Sequence, residues 1–399
     1  MNYGRLDISC LCGSANQQVN ILGDNNHQRL GASWEASSRL CHCHACRHLT
    51  GLLCTSFLPI SEPEKASLDG LTAYASAPHS TSYFCPKCGC HVFACSKRSV
   101  TPRGLKESIE GTEQWAVATG TIAGSPDNGS GSSKMSDGSP SGWRWYWTHD
   151  KVDDTQDGGI SVWINSALKS APVTHIQSIG AADSTILPAS CHCGTVRFHI
   201  TRPDESSRMP KSPFPDLMLP YCRTDASILK NPSDVKWWLR GKDKTKYLAG
   251  TCACRSCRLS SGFDIQTWAF VSRSNIRIYS TSPTSEEEDE PRLLDFGTIP
   301  SGVLKSYESS PGVAREFCPR CGATVFWHNK ERAELIDVSV GLLEAPEGAR
   351  AESWLEWWTE RVSFAEEAGA EVGRQQVAFT RARRLIENLE QGLGGQHSA

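Results

Sequence analysis

At 399 residues the chain is long enough for two domains of ordinary size, each able to bury its own core. Its charge is nearly balanced at net −3, which leaves no clustered basic footprint for gripping nucleic-acid phosphates. No run of about 18 apolar residues is present to span a membrane. The first seven residues lack the basic start and apolar core of a secretory signal, so a soluble cytoplasmic protein is expected, with a nuclear location as the other option.

Taken in order, Ser9-Cys10-Leu11-Cys12-Gly13 is followed by Cys41-His42-Cys43-His44-Ala45-Cys46 and then by Phe84-Cys85-Pro86-Lys87-Cys88-Gly89. The same three clusters return in the same order as Ser190-Cys191-His192-Cys193-Gly194, Cys252-Ala253-Cys254-Arg255-Ser256-Cys257 and Phe317-Cys318-Pro319-Arg320-Cys321-Gly322. Arg47 and Arg258, Gly51 and Gly262, and the pairs Val92-Phe93 and Val325-Phe326 stay in register with them. Fourteen of the eighteen cysteines fall into this scheme, which chance spacing does not produce, so the chain reads as an internal repeat. Clustered spacing of this kind points to metal ligands in a reducing compartment and away from a disulfide scaffold.

Between the clusters lie short runs rich in β-branched, aromatic or alternating apolar residues: 18–22, 53–60 and 115–122 in the first half, and 195–200, 267–271 and 335–343 in the second. They predict half-buried strands and a mainly β fold. The Cys-Pro-x-Cys-Gly segments predict tight turns whose glycine takes a positive φ. Residues 123–142, rich in Gly, Ser, Asp and Pro, read as a flexible insertion, and Trp143 to Trp147 as a strand with core-facing aromatics. Residues 171–186 read as a linker between a first domain, 1–170, and a second, 187–399. In the second domain, 203–220 and 280–312 read as surface excursions, the acidic run 285–290 as a solvated loop, and 365–391 as a helix docked within the chain.

Zinc thiolate sites need cysteines brought together from separate short hairpins. Cys10, Cys12, Cys85 and Cys88 therefore form one expected closed four-thiolate site, and Cys191, Cys193, Cys318 and Cys321 another. Cys41, Cys43 and Cys46, with their counterparts Cys252, Cys254 and Cys257, remain as two three-thiolate sets, the ligand number of a zinc with a vacant position. Such a site carries excess negative charge, and Arg47 and Arg258 are candidates to balance it, with surface arginines as the plainer reading. His42 and His44 are expected beside the thiolates rather than as ligands. Cys54, Cys90, Cys95 and Cys222 have no repeat partner and are expected to be inert.

The order CxCG, CxCxxC, FCPxCG followed by Val-Phe resembles the glutathione-dependent formaldehyde-activating enzyme family, which includes the centromere protein V-like proteins, and the resemblance covers both halves. It implies two tandem zinc-stabilised β-tent domains, to which the helix read at 365–391 is added at the C-terminus, a structural zinc on the first CxC and last CxxC, and a second zinc on the CxCxxC. It also implies a carbon–sulfur lyase activity of the S-hydroxymethylglutathione synthase type. The substrates would be a small thiol such as glutathione and an aldehyde, handled at Cys41, Cys43, Cys46, Cys252, Cys254 and Cys257. A non-catalytic zinc-binding scaffold is the alternative. The gap between the first two clusters is 28 residues in one half and 58 in the other, so loops near the pocket differ and no thiol-binding residue carries over.

Overall fold

In the computed structural model the described residues are 2–22, 34–97, 112–123, 143–165, 185–280, 290–368 and 376–395. The expected insertion beyond Ala123, the acidic run up to Asp289 and the linker up to residue 184 lie outside them. The described chain is mainly β with a few short helices and one long one near the C-terminus, Gln376–Gly394. The linker region ends at Ile186, which opens the strand Ile186–Ser190.

Each half repeats one plan. Four strands lie side by side in the first half, Thr72–Ala77, Ser80–Phe84, His91–Lys97 and Glu113–Ala118, the last pairing with Phe57–Ile60. The second half has the same run in Lys305–Ser310, Val313–Phe317, Thr324–Asn329 and Leu335–Ser339, closing on Gln266–Ser272. The strand leading into each CxCxxC also finds a parallel partner from further along its half: Trp34–Cys41 pairs with Trp143–Asp150, and Lys246–Cys252 with Leu355–Trp357. Burial alternates along the outer strand Thr72–Ala77, as with one sheet face covered, whereas Gln266–Ser272 and Leu335–Ser339 are buried along their whole length.

The expected strands at 115–122 and 335–343 are each interrupted by a 3₁₀ turn, Thr119–Thr121 and Val340–Leu342. The cause is the other half. Gly120 N donates to Gly262 O at 2.9 Å, and Gly341 N to Gly51 O at 3.2 Å. Leu11 N donates to Leu259 O and His192 N to His48 O, both at 2.9 Å, and a Cβ on Gly89 or Gly322 would strike Phe317 or Phe84 of the opposite half. Every one of these contacts has its reciprocal, as at the self-complementary interface of a symmetric dimer, here within one chain.

The halves share one core, while a second cluster, with Leu6, Ile8, Val92, Phe93 and Val117 among its members, belongs to the first half alone. The largest apolar cluster joins Leu52, Leu53 and Trp163 of the first half to Phe263, Val338 and Leu342 of the second. The helix Gln376–Gly394 docks within the chain and reaches both halves. Its buried Arg381 pairs with Asp264 at 2.6 Å and donates to Ser38 and Ser56 Oγ and to Thr119 Oγ1.

Candidate metal and thiol site

The fold brings all fourteen cluster cysteines into four groups, each with its sulfurs within 4.8 Å of one another: Cys10, Cys12, Cys85 and Cys88; Cys191, Cys193, Cys318 and Cys321; Cys41, Cys43 and Cys46; and Cys252, Cys254 and Cys257. In the four-cysteine groups the CPxCG turn supplies two sulfurs, with Gly89 at φ 77° and Gly322 at φ 80° where a side chain would be strained. Cys10 and Cys12 sulfurs are 3.4 Å apart, Cys12 and Cys85 3.5 Å, and Cys193 lies 3.5 Å from both Cys191 and Cys318. A tetrahedral zinc with bonds of about 2.3 Å separates its sulfurs by about 3.8 Å, so the spacing fits that ion. Backbone N–H groups of Ala15 and Val196 point at Cys10 and Cys191, the kind of donor that steadies a thiolate.

In each three-cysteine group the middle cysteine caps a short helix. Cys43 precedes His44–Thr50 and its sulfur accepts from Cys46 N; Cys254 precedes Arg255–Ser261 and accepts from Cys257 N, both at 3.3 Å. Each helix ends on a left-handed glycine, Gly51 or Gly262. Crowding splits the thiols: Cys43 is pulled down to about 2 by hydrogen bonds from Cys41 and Cys46, while Cys46 is pushed well above the usual range by Cys41 and Cys43 and by burial. In the second half Cys257 is the thiol held well below its ordinary value, first by Cys252 and Cys254 and also by Arg315, against the effect of burial. Neutral surroundings let one thiolate exist in such a cluster, and a divalent cation is what would let all three ionise.

The two three-cysteine groups differ in what faces them. Arg315, 3% exposed, lies against the second: Nη1 and Nη2 are each 3.6 Å from Cys257 Sγ, and Nη2 is 3.0 Å from Ser256 Oγ. Arg315 belongs to a row across the sheet, Arg315–Trp327–Asp337–Phe270. The matching row of the first half is Ser82–Ala94–Ala116–Pro59, small or apolar throughout. Cross-strand neighbours share a face, so one half carries a charged and aromatic wall where the other carries none of those groups.

That wall bounds a cavity of about 510 Å³ that reaches the sulfurs of Cys252, Cys254 and Cys257. Trp268 forms one buried cluster with the three cysteines, and Trp327 and Phe364 pack against it. Arg332 pairs with the buried Asp337 at 2.7 Å and stacks over Trp327. Burial pushes the Asp337 carboxyl above its usual range, opposed by Arg332. The stretch expected as a surface excursion at 203–220 forms part of this wall through Pro213, Pro215 and Leu217, because Gly250 leaves room for Leu217 to descend onto the strand. A smaller cavity of about 200 Å³ lies between the halves beside the first group, lined by His44, Arg47, His48, Asp154 and Glu344 among others.

Several expectations change. Arg258 Nη1 donates to the carbonyls of Gly120 and Ile122 across the interface, and its charge favours the thiolate of the buried Cys90 there. Neither Arg47 nor Arg258 is a surface residue, each being 4% exposed, and the cation at the second group is Arg315, which carried no motif. His42 is buried and shares a 2.8 Å hydrogen bond with His149, while His44 stacks on His48. Cys54, Cys90 and Cys95 are buried, whereas Cys222 is exposed beside Glu366.

No helix among the described residues is long and apolar enough to cross a membrane. No curated protein and no solved structure matches the chain. A family model does: residues 235–361, the stretch that holds Cys252, Cys254, Cys257, Arg315 and the second CPxCG turn, are similar to the family described as glutathione-dependent formaldehyde-activating enzyme.

Proposed function

We propose that the chain is a zinc-dependent carbon–sulfur lyase of the S-hydroxymethylglutathione synthase type, with its working site at Cys252, Cys254 and Cys257. In this reading residues 1–170 and 187–399 are two copies of one Gfa-like domain. The four-cysteine groups hold structural zinc, and the three-cysteine groups hold zinc with a position left for a thiol. Zinc, when bound, lowers the pKa of a coordinated thiol so that it is present as thiolate at neutral pH.

The observation that carries the assignment to the second half is Arg315, a buried cation on the sulfur cluster with a cavity opening beside it. Three thiolates on a divalent ion leave a net charge of −1, and an incoming thiolate makes it −2. Arg315 offsets that charge where water is kept out by Trp268, Trp327 and Phe364. Asp337 and Arg332, paired at the cavity wall, supply a fixed dipole near the aldehyde without adding net charge. The first half, with Ser82, Ala94 and Ala116 at the corresponding places, is read as the scaffold copy.

The test is a pair of variants in a glutathione- and aldehyde-dependent assay with bound zinc counted alongside. Cys254→Ser is expected to abolish turnover and Cys43→Ser to leave most of it. Equal loss from the two would overturn the division between halves. Zinc-edge absorption that keeps the same sulfur count on saturation with glutathione would overturn the lyase reading.

A further inference from the structure

The cavity beside Cys252, Cys254 and Cys257 is built for more than a one-carbon aldehyde. Trp268 clusters with the three cysteines, Trp327 and Phe364 pack against that cluster, and Phe270, Trp237 and Leu217 continue the apolar wall through a volume of about 510 Å³. Pockets of a few hundred cubic ångströms serve ligands of many heavy atoms, and an apolar wall earns nothing from formaldehyde, which has no apolar substituent to bury. Polar residues line the cavity as well, among them Asp216, Glu331 and Glu367. Arg315 Nε and Arg332 Nη1 are buried N–H groups without a partner among the described residues, and both arginines line the cavity. A buried donor left unpaired is costly, so a carbonyl or alkoxide oxygen there would be welcome.

We propose that this site takes an aldehyde carrying a bulky apolar or aromatic substituent, seated between Trp268, Trp327 and Phe364 with its oxygen toward the unpartnered guanidinium N–H groups. The proposal rests on the thiol–aldehyde reading of the preceding section. In the step itself, the thiol sulfur forms a bond to the aldehyde carbon, the C=O π pair moves onto oxygen, and the proton given up by the thiol ends on that oxygen. The product is a hemithioacetal, with no change of oxidation state overall. The aromatic wall favours it because a large aldehyde is drawn out of water as it reacts.

Two measurements on the full-length, zinc-loaded chain separate this inference from the reading beneath it. In the first, intrinsic tryptophan fluorescence follows titration with unreactive alcohols that copy the aldehyde shape. Hexan-1-ol and benzyl alcohol are expected to saturate at concentrations about tenfold or more below propan-1-ol, as burial of several extra carbons requires. The Trp327→Leu/Phe364→Leu double variant, checked for fold by circular dichroism and for bound zinc, is expected to lose that difference. Equal binding of the three alcohols, or a difference that survives in the folded double variant, overturns the proposal.

In the second, kcat/KM with glutathione is compared for ethanal, butanal, hexanal and benzaldehyde. It is expected to rise by about threefold per added methylene until the cavity fills. A flat or falling series overturns the proposal while leaving the lyase reading in place. Selective alcohol binding with no turnover of any aldehyde instead overturns the lyase reading and supports the apolar specificity of the cavity.

Discussion

Arg315 is the buried cation against Cys257 in the second three-cysteine group, and nothing in its sequence neighbourhood singled it out. It sits two residues before the FCPxCG turn, where the first half has Ser82. The cysteines were legible because metal ligation imposes spacing, but a residue that faces them from another strand declares itself only through register. Arg315 reaches Cys257 through the pairing of Val313–Phe317 with Thr324–Asn329, and Asp337 joins it one strand further on. The same reasoning explains why Arg258 misled: adjacency to Cys257 in sequence places it on the helix face turned to the other half. Arg315→Met should therefore weaken zinc retention at this one group by about 10- to 100-fold, the usual cost of losing a partner behind the ligands. Competition with a chelator would show one zinc leaving early, with the remaining zinc held as in the parent protein.

The strands were read from their apolar patterns, yet the 3₁₀ turns at Thr119–Thr121 and Val340–Leu342 were not, because they answer to a surface of the opposite half. Within the second turn Gly341 has no room for a side chain: a Cβ would stand 2.3 Å from Leu52 O and 2.6 Å from Gly51 C, both backbone atoms. The Gly341→Ala variant is expected to lose about 1 to 3 kcal/mol of stability, as overpacking does, seen as a lower urea midpoint. His91 lies beside the same interface, its backbone oxygen close to Gly262 and its Nδ1 within 2.8 Å of Ser82 Oγ. Burial lowers its pKa from 6.5 to about 4. The folded state thus refuses a proton that the unfolded state takes up. Its contribution is present above about pH 6.5 and is lost as pH falls toward 4, amounting to about 3 kcal/mol. In His91→Gln that part of the acid limb should flatten when stability is measured by denaturant between pH 7 and pH 4.

At the scale of the whole molecule, the repeat was legible as a count of two, but a count does not say whether the copies stand apart or embrace. The reciprocal contacts give the answer in Gly51 with Gly341, Gly262 with Gly120, and His48 with His192 opposite Leu259 with Leu11. Tyr74 of the first half bonds His192 at 2.8 Å beside the second half's four cysteines, and Tyr307 of the second packs against the first half's group. Each four-cysteine site is thus covered by a residue from the other half. Arg381 adds a tie by placing its guanidinium on Asp264 with Ser38, Ser56 and Thr119 around it. Taking one charge from a buried pair costs about 3 to 5 kcal/mol, whereas replacing both with apolar groups is far milder. Arg381→Met should lower stability by that amount, and Arg381→Met with Asp264→Leu should recover part of it in urea denaturation. Residues 187–399 made alone would expose the apolar face that Leu52, Leu53 and Trp163 now cover, and would lose Tyr74 from its four-cysteine site. That fragment is expected to aggregate and to hold zinc weakly, while co-expression with residues 1–170 should yield a soluble complex of the two. A monomeric, zinc-loaded fragment 187–399 with a melting temperature equal to that of the full chain would show that the embrace is dispensable.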